Sequence, residues 1–136
     1  MRSIGLDIGS RRIGVAISDE DGIIASPFCV LDRSSIEKDI IRILQICNDY
    51  NCSVIVIGYP FSSAGQKTGM TKLVDRFHES ISRVFSGETV CFDERFSTTI
   101  ATKSLINAGV RRKDRREVVD KVAASIILQS YLDMVK

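Results

Sequence analysis

The first thirty-one residues contain three short apolar segments separated by tight turns, and this feature restricts the fold more than any other in the sequence. The segments read SIGLDI, IGVAIS and a third stretch at about Ile23–Leu31, and the turns read GSRR and DEDG. Strands joined by turns this short pair antiparallel. The chain is therefore predicted to begin with a meander of three antiparallel strands.

After the meander, helical and strand patterns alternate along the chain. Apolar residues recur at helical spacing after Ser34, a predicted N-cap, and again over Leu73–Phe85. Short apolar runs at Ser53–Gly58 and in ETVCF predict two buried strands, and helices are predicted at about Thr98–Ala108 and Glu117–Val135. Strand–helix–strand connections favour parallel pairing. The prediction is an α/β fold with a five-stranded mixed sheet, an antiparallel meander followed by parallel strands, and helices on both faces.

Length, apolar runs and cysteine spacing limit the class of protein. A chain of 136 residues fits one domain, which is expected to cover residues 1–136. No apolar run is long enough to span a bilayer, and Asp7 falls where a signal peptide would need its apolar region. The four cysteines include no CxxC pair, which favours reduced thiols, and Cys52 in the NDYNC turn is expected to be the more exposed one. We expect a cytoplasmic protein with no membrane partner.

Three acidic residues stand inside a predicted strand or at the end of one. Asp7 interrupts an apolar strand, where an unpaired carboxylate costs free energy, although it could also cap the following turn. Asp93 and Glu94 follow the ETVCF strand, and ligands of α/β sheets bind at the carboxyl ends of parallel strands. Both acids could instead cap a helix beginning near Ser97. We assign that capping role to Asp93 and a functional role to Glu94.

Asp120 lies on the apolar face of the last predicted helix. The residues that share its face are Ala123, Ala124, Ile127 and Tyr131. This face is predicted to pack on the sheet, and the two alanines allow a close approach. An inward carboxylate needs a cation or hydrogen-bond donors. Asp120 is therefore a candidate functional residue.

One hard cation would explain the three acids together. Clustered carboxylates repel one another and would become protonated without a counter-charge. Mg²⁺ takes oxygen ligands and keeps several waters, so carboxylates and phosphate oxygens can complete its shell. The sequence therefore predicts that Asp7, Glu94 and Asp120 are catalytic residues and ligands of Mg²⁺, with Mn²⁺ as the alternative. Such a site suits hydrolysis of a phosphodiester bond.

Four segments of the chain resemble the motifs of one known family. They read GLDIGSRRIGVAISD, VIGYP, DERFST and VVDKVAASIILQSYL. The motifs occur in family order and cover essentially the whole chain. This pattern is similar to that of the YqgF family, the Holliday-junction-resolvase-like proteins that are also described as pre-16S ribosomal RNA nucleases. The chain departs from the family in the loop after VIGYP, which reads Phe61-Ser62-Ser63-Ala64-Gly65 instead of a Met-Asp-Gly-like sequence.

The resemblance implies a fold, an activity and a set of site residues. It implies a ribonuclease H-like fold and a metal-dependent nuclease whose metal acids are Asp7, Glu94 and Asp120. The implied role is 5′-end maturation of pre-16S ribosomal RNA in ribosome biogenesis, with resolution of branched DNA as the alternative. The expected partner is thus a nucleic acid, either a structured RNA precursor or branched DNA.

A basic segment precedes the helix that bears Asp120. The net charge of the chain is only +2, but this segment concentrates positive charge beside a predicted metal site. An isolated run of this kind is usually a solvated loop, whereas next to a metal site it suits a phosphate backbone. The predicted nucleic-acid-binding residues are Arg11, Arg12, Arg95, Arg111, Arg112, Lys113, Arg115 and Arg116. Gly109 is predicted to end the preceding helix and leave the segment as a loop.

Two other classes of protein share parts of this pattern. Actin-like phosphotransferases also open with an Asp-x-Gly hairpin, but their architecture needs two such domains and a cleft between them. A module that binds nucleic acid during ribosome assembly without cutting it would carry the same acids and the same basic segment. Cleavage assays with an Asp7→Asn control separate these possibilities from a nuclease.

Overall fold

The computed structural model describes residues 1–60, 69–94 and 112–135, and in 112–118 the backbone alone. The described chain alternates strands and helices as the sequence predicts. In chain order the elements are β1 (Arg2–Ile8), β2 (Arg12–Ser18), β3 (Ala25–Asp32), α1 (Ile36–Tyr50), β4 (Cys52–Tyr59), α2 (Gly69–Val84), β5 (Glu88–Asp93) and α3 (Arg112–Met134). The helix predicted at about Thr98–Ala108 lies outside the described residues.

The strands form one mixed sheet in the order β3-β2-β1-β4-β5. The pairs β1–β2 and β2–β3 are antiparallel, and the pairs β1–β4 and β4–β5 are parallel. This confirms the predicted meander followed by parallel strands. β1 occupies the centre of the sheet, between its antiparallel neighbour β2 and its parallel neighbour β4.

Each face of the sheet carries its own apolar core. On one face, Ile4, Leu6 and Ile8 of β1 pack with buried residues of α1 and α2. On the other face, α3 packs through Ala124, Ile127 and Leu128, in agreement with the predicted inward face of this helix. The two α/β layers confirm helices on both faces, and the alternation along β1 assigns each of its side chains to one layer.

α3 begins five residues earlier than the sequence predicts. The predicted start was Glu117, with a basic loop before it, whereas the helix begins at Arg112 and includes the backbone of most of that loop. Arg and Lys are good helix formers, and no Gly or Pro occurs after Gly109. The prediction of a loop at 112–116 was therefore wrong. The first turns of α3 carry the basic residues.

Two smaller expectations about the surface also differ from the structure. Cys52 is buried and Cys91 is exposed, the reverse of what the turn around Cys52 suggested. The reason is that Cys52 already opens β4 inside the sheet, while β5 is an edge strand. α1 is capped by Ser35, whose hydroxyl accepts a hydrogen bond from the Lys38 N–H, one residue after the predicted cap. Within the described ranges, no helix combines the length and apolar character needed to cross a membrane.

A fully buried carboxylate lies where α1 begins. Asp39 accepts hydrogen bonds from Arg33 Nε at 2.7 Å, from Arg42 Nη2 at 2.6 Å and from the Ser34 N–H at 3.0 Å. Burial alone would raise the pKa of Asp39, but these donors outweigh it and hold the pKa below its ordinary value of 3.8. Asp39 is therefore a buried anion with its partners in place.

Arg33 links this carboxylate to the turn between β1 and β2. Its Nη1 donates to the Gly9 carbonyl oxygen at 3.0 Å, and its backbone N–H donates to the Arg11 carbonyl oxygen at 2.8 Å. Because Asp39 fixes the guanidinium, the turn is held to the end of β3 and the start of α1. The network thereby fixes the backbone of the turn that carries Arg11 and Arg12.

Asp39→Asn should destabilise the protein by about 2–4 kcal/mol at neutral pH, because it leaves Arg33 buried beside a weaker acceptor. The folded-state pKa of Asp39 is lowered, so its stabilisation is complete above pH 3.8 and is lost as the pH falls through the folded value. Urea unfolding at neutral pH and at about pH 3 should therefore show the difference from wild type shrinking in acid. Asp49→Asn, on the exposed side of the same helix, is the control and should change stability by less than about 0.5 kcal/mol.

Candidate functional site

Asp7 lies between two glycines in the middle of the sheet. It pairs directly with Gly14 of β2, and since Leu6 is beside Ile57 of β4, the next residues, Asp7 and Gly58, are also neighbours. Leu6 belongs to the core under α1 and α2, so the alternation of β1 places Asp7 on the face covered by α3. The half-buried Asp7 is therefore flanked on both sides by positions that lack a side chain.

The glycine on β2 brings α3 close to Asp7. A Cβ atom on Gly14 would overlap the backbone carbonyl oxygen of Asp120. The helix therefore rests directly on β2 at this point, and residues that pair across antiparallel strands share a face. Asp120 is thus placed over the strand position next to Asp7, as the sequence predicted for an inward-facing acid.

The glycine on β4 accommodates the third acid. Glu94 follows β5, is only 8% exposed, and its Oε1 lies 3.1 Å from where a Cβ of Gly58 would be. Ile127 of α3 borders the same position. Glu94 is thereby directed over β4 toward the side of the sheet that holds Asp7. The structure brings the three predicted acids to one region, each from a different element.

Arg12 forms an ion pair with Asp120. Its Nε donates to Asp120 Oδ2 at 2.8 Å, and the two side chains are 24% and 22% exposed. Arg12 and Gly14 are two residues apart on β2 and so point to the same face, under α3. The sequence assigned Arg12 to nucleic acid and Asp120 to a metal, and the structure shows that the two side chains contact each other.

The remaining predicted site residues differ in how much of each the structure describes. Asp93 is half-buried at the end of β5, and Arg11 is exposed in the turn before β2. Arg95 and Arg111 lie outside the described residues. The backbone of the other four basic residues is in the first turns of α3, and their side chains lie outside the described part: Arg112, Lys113, Arg115 and Arg116.

The donor chemistry of the three acids fits a hard cation. Asp7, Glu94 and Asp120 offer carboxylate oxygens, which Mg²⁺ and Mn²⁺ prefer, and Asp120 already binds one cationic group. In the arrangement seen across residues 1–60, 69–94 and 112–135, no three acid, histidine or cysteine side chains are close enough to hold one ion as a group. The three carboxylates are therefore the right type of ligand for such an ion, and in this structure Asp120 is paired with Arg12.

A hydrogen bond from Tyr59 fixes the end of β4, next to Gly58. The Tyr59 hydroxyl donates to Asp75 Oδ1 of α2 at 2.7 Å. Burial, and then the Asp75 carboxylate, raise the pKa of Tyr59 to about 12, so the phenol remains a donor at neutral pH. Tyr59 lies on the face opposite Gly58 and belongs to the core under α1 and α2. It anchors the strand and leaves the α3 face to the acids.

The two glycines beside Asp7 were not predicted as site residues from the sequence. Gly14 and Gly58 each interrupt an apolar strand, and a glycine inside a strand often marks a close approach of another backbone or ligand. That signal was available and would have indicated where α3 and Glu94 approach the sheet. The pairing of Arg12 with Asp120 has no comparable signal, because 108 residues separate the two in the sequence.

Comparisons with known proteins agree on one family. The family model described as "RuvX: Holliday junction resolvase" matches residues 1–134. A relative from Thermoanaerobacter pseudethanolicus is 44% identical over 137 residues, covering 100% of this chain and 99% of the relative. A relative from Desulforudis audaxviator is 43% identical over 133 residues, with 98% and 94% coverage. Both relatives are provisionally named pre-16S rRNA nuclease.

Solved structures of resolvases share the fold. RuvC of Thermus thermophilus in complex with a Holliday junction substrate has a TM-score of 0.63 at 12% identity, covering 100% of this chain and 97% of that one. The Holliday junction resolvase of fowlpox virus has a TM-score of 0.58 at 16% identity, with both chains fully covered. At these identities the likeness concerns the fold alone, and it confirms the predicted ribonuclease H-like α/β architecture.

Gly14→Ala should destabilise the protein by about 3 kcal/mol or more, because the new methyl group overlaps backbone of α3 that cannot rotate away. Any accommodation must move Asp120, so nuclease activity should fall further than the folded fraction does. Urea unfolding and cleavage rates measure the two effects. Gly69→Ala is the matched control, since no atom of the described residues lies within 4 Å of its Cβ position, and it should be neutral or stabilising by up to about 1 kcal/mol. Equal stability of the two variants would show that α3 does not rest on Gly14.

Proposed function

The chain belongs to the RuvX family of Holliday junction resolvases. We propose that it is a metal-dependent nuclease that matures the 5′ end of pre-16S ribosomal RNA. The convergence of Asp7, Glu94 and Asp120 on the α3 face of the sheet is the observation that carries the proposal. Relatives with 44% and 43% identity, provisionally named for this RNA, support the choice of substrate. The proposed enzyme is one domain over residues 1–136 that acts in the cytoplasm.

In the proposed mechanism Asp7, Glu94 and Asp120 would hold Mg²⁺ or Mn²⁺, which would supply activation of water and stabilisation of charge on the phosphate. The chain's own residues prepare that chemistry. Glu94 is nearly buried, which limits the water around its carboxylate, and the backbone contact at Gly14 fixes the height of Asp120 above β2. Asp7 lies between Gly14 and Gly58, and because these positions lack side chains, the backbone of Asp120 and the carboxylate of Glu94 approach the strands on either side of it.

Basic residues on two elements would hold the nucleic acid. Arg11 lies in the turn before β2 and Arg12 is the first residue of β2, and the first turns of α3 carry four more basic residues along the helix that bears Asp120. Phosphate contacts of this kind give affinity and orientation but no base preference. Recognition of a strand end or of RNA shape therefore fits better than recognition of a sequence.

Resolution of branched DNA is the second candidate function. The description of the family and the fold shared with RuvC favour it, and the same acids would serve both reactions. A four-way DNA junction and an RNA carrying the 5′ extension of 16S, offered at equal concentration with Mg²⁺, distinguish the two. Faster cleavage of the RNA supports the proposal, faster cleavage of the junction supports the alternative, and cleavage of neither supports a binding module.

Asp7→Asn and Asp120→Asn should each abolish Mg²⁺-dependent cleavage and keep the fold, because both replacements are close in shape to the acid. Glu94→Gln should likewise remove activity, whereas Asp93→Asn should cost much less, since we assign Asp93 to capping. Cleavage of 5′-labelled RNA, with circular dichroism as the check on folding, measures these effects. Full activity of purified Asp7→Asn would rule out the metal assignment. A larger loss in Asp93→Asn than in Glu94→Gln would reverse the roles of that pair.

Replacing Arg111, Arg112, Arg115 and Arg116 by Gln should weaken nucleic-acid binding similarly for all sequences, because phosphate contacts carry no base information. Each lost contact should flatten the slope of log affinity against log salt by roughly 0.7 to 0.9. Fluorescence anisotropy over a range of salt concentrations measures the slope. Cleavage at saturating substrate should fall less than affinity does. Unchanged affinity and slope would show that the segment is an ordinary solvated surface and would leave Arg11, Arg12 and Arg95 as the binding residues.

A further inference from the structure

The ion pair between Arg12 and Asp120 joins two residues that the proposed function would use separately. We propose that Arg12 is an internal competitor for the metal ion: it holds Asp120 while the ion is absent and turns to a substrate phosphate once the ion takes that carboxylate. This inference rests on the proposed function, because it assumes that Asp120 binds a metal and that the substrate is a nucleic acid.

The geometry of the pair supports exchange of partners. The contact is made by Arg12 Nε on a single oxygen, Asp120 Oδ2, at 2.8 Å. Both side chains are about a quarter exposed, so the pair is shielded enough to be stable and open enough for a phosphate to reach the guanidinium. Over the described residues no three acids form a ligand group for one ion, and the Asp120 carboxylate is held by the Arg12 guanidinium.

The backbone below Arg12 is fixed, so the exchange needs only a side-chain rotation. The Gly9 N–H donates to the Arg12 carbonyl oxygen at 2.8 Å and closes the turn. Arg33, which is itself held by the buried Asp39, binds the carbonyl oxygens of Gly9 and Arg11 through its guanidinium and its backbone N–H. A long arginine side chain on a rigid turn can therefore change its partner without any movement of the sheet.

Charge gives the exchange its direction. A divalent ion and a guanidinium on one carboxylate repel each other and compete for the same oxygen lone pairs, so binding of the ion weakens the hold of Asp120 on Arg12. The released guanidinium then faces solvent beside the site, where a phosphate offers two oxygens to its fork of donors. By linkage, the ion raises the affinity for nucleic acid and nucleic acid raises the affinity for the ion.

The first test is the affinity for Mn²⁺ alone, measured by the electron paramagnetic resonance signal of the free ion, without nucleic acid. Arg12→Gln removes the competitor and should bind Mn²⁺ more tightly than wild type, by on the order of threefold or more. Arg11→Gln loses the same charge one residue away, and Arg11 makes no ion pair with the described residues, so its affinity should stay within about twofold. Arg12→Lys keeps the positive charge, and its affinity for Mn²⁺ should remain close to that of wild type. Circular dichroism checks that all three variants fold normally.

The second test measures coupling, with a fluorescent RNA hairpin that has a single-stranded 5′ extension, in EDTA and in saturating Ca²⁺. Wild type should gain more affinity on addition of Ca²⁺ than Arg12→Gln does, because only wild type then frees a guanidinium for a phosphate. Unchanged or weaker Mn²⁺ binding by Arg12→Gln, or an equal gain with Ca²⁺, would overturn the inference and leave Arg12 as a residue that orients Asp120.

The failure of this inference is distinguishable from failure of the proposed function. Mn²⁺ binding by wild type that Arg12→Gln does not strengthen rejects the competitor role only. Tighter binding by Arg12→Gln together with no cleavage of any nucleic acid rejects the nuclease and retains the competitor. Absence of any Mn²⁺ binding by both wild type and Arg12→Gln rejects both, because neither Asp120 nor its neighbours would then be metal ligands.

Discussion

The contact of α3 with β2 at Gly14 is the constraint on which the candidate site depends. No side chain other than the hydrogen of glycine fits beneath the Asp120 backbone, so the helix is as close to the sheet as main-chain atoms allow. At the neighbouring strand, Gly58 leaves room for Glu94 in the same way. Asp120 and Glu94 can approach the strand positions on either side of Asp7 because both of those positions are glycine.

The surrounding structure keeps this close packing in place. On one side, the buried Asp39 network fixes the turn that leads into β2. On the other, the Tyr59 hydroxyl ties the end of β4 to α2. Both anchors lie away from the α3 face, and each satisfies a polar group inside the protein. Both anchors thus stabilise the sheet from the face covered by α1 and α2, whereas Asp7, Glu94 and Asp120 lie on the face covered by α3.

Local patterns in the sequence were sufficient for much of the fold. Alternation and tight turns predicted the meander, helical spacing predicted α1 and α2, and Asp120 was identified because an acid on an apolar helix face is expensive to bury. The start of α3 was misjudged because the basic segment was taken as a loop although Arg and Lys are good helix formers. The burial of Cys52 was misjudged because it depends on where β4 begins. The pairing of Arg12 with Asp120 could not be predicted, since it exists only once β2 and α3 have packed together.

The early start of α3 has a consequence for where a strand would be cut. A helix rises about 1.5 Å per residue, so the backbone of Arg112 stands roughly 12 Å along the axis from Asp120. Nucleotides in one strand of a duplex advance by about 3.4 Å, and that distance corresponds to roughly three or four of them. A phosphate bound at the start of α3 would be held at this distance from the cleaved bond by the rigid helix. In the proposed nuclease, the length of the helix would then set the number of nucleotides between the bound phosphate and the cleaved bond.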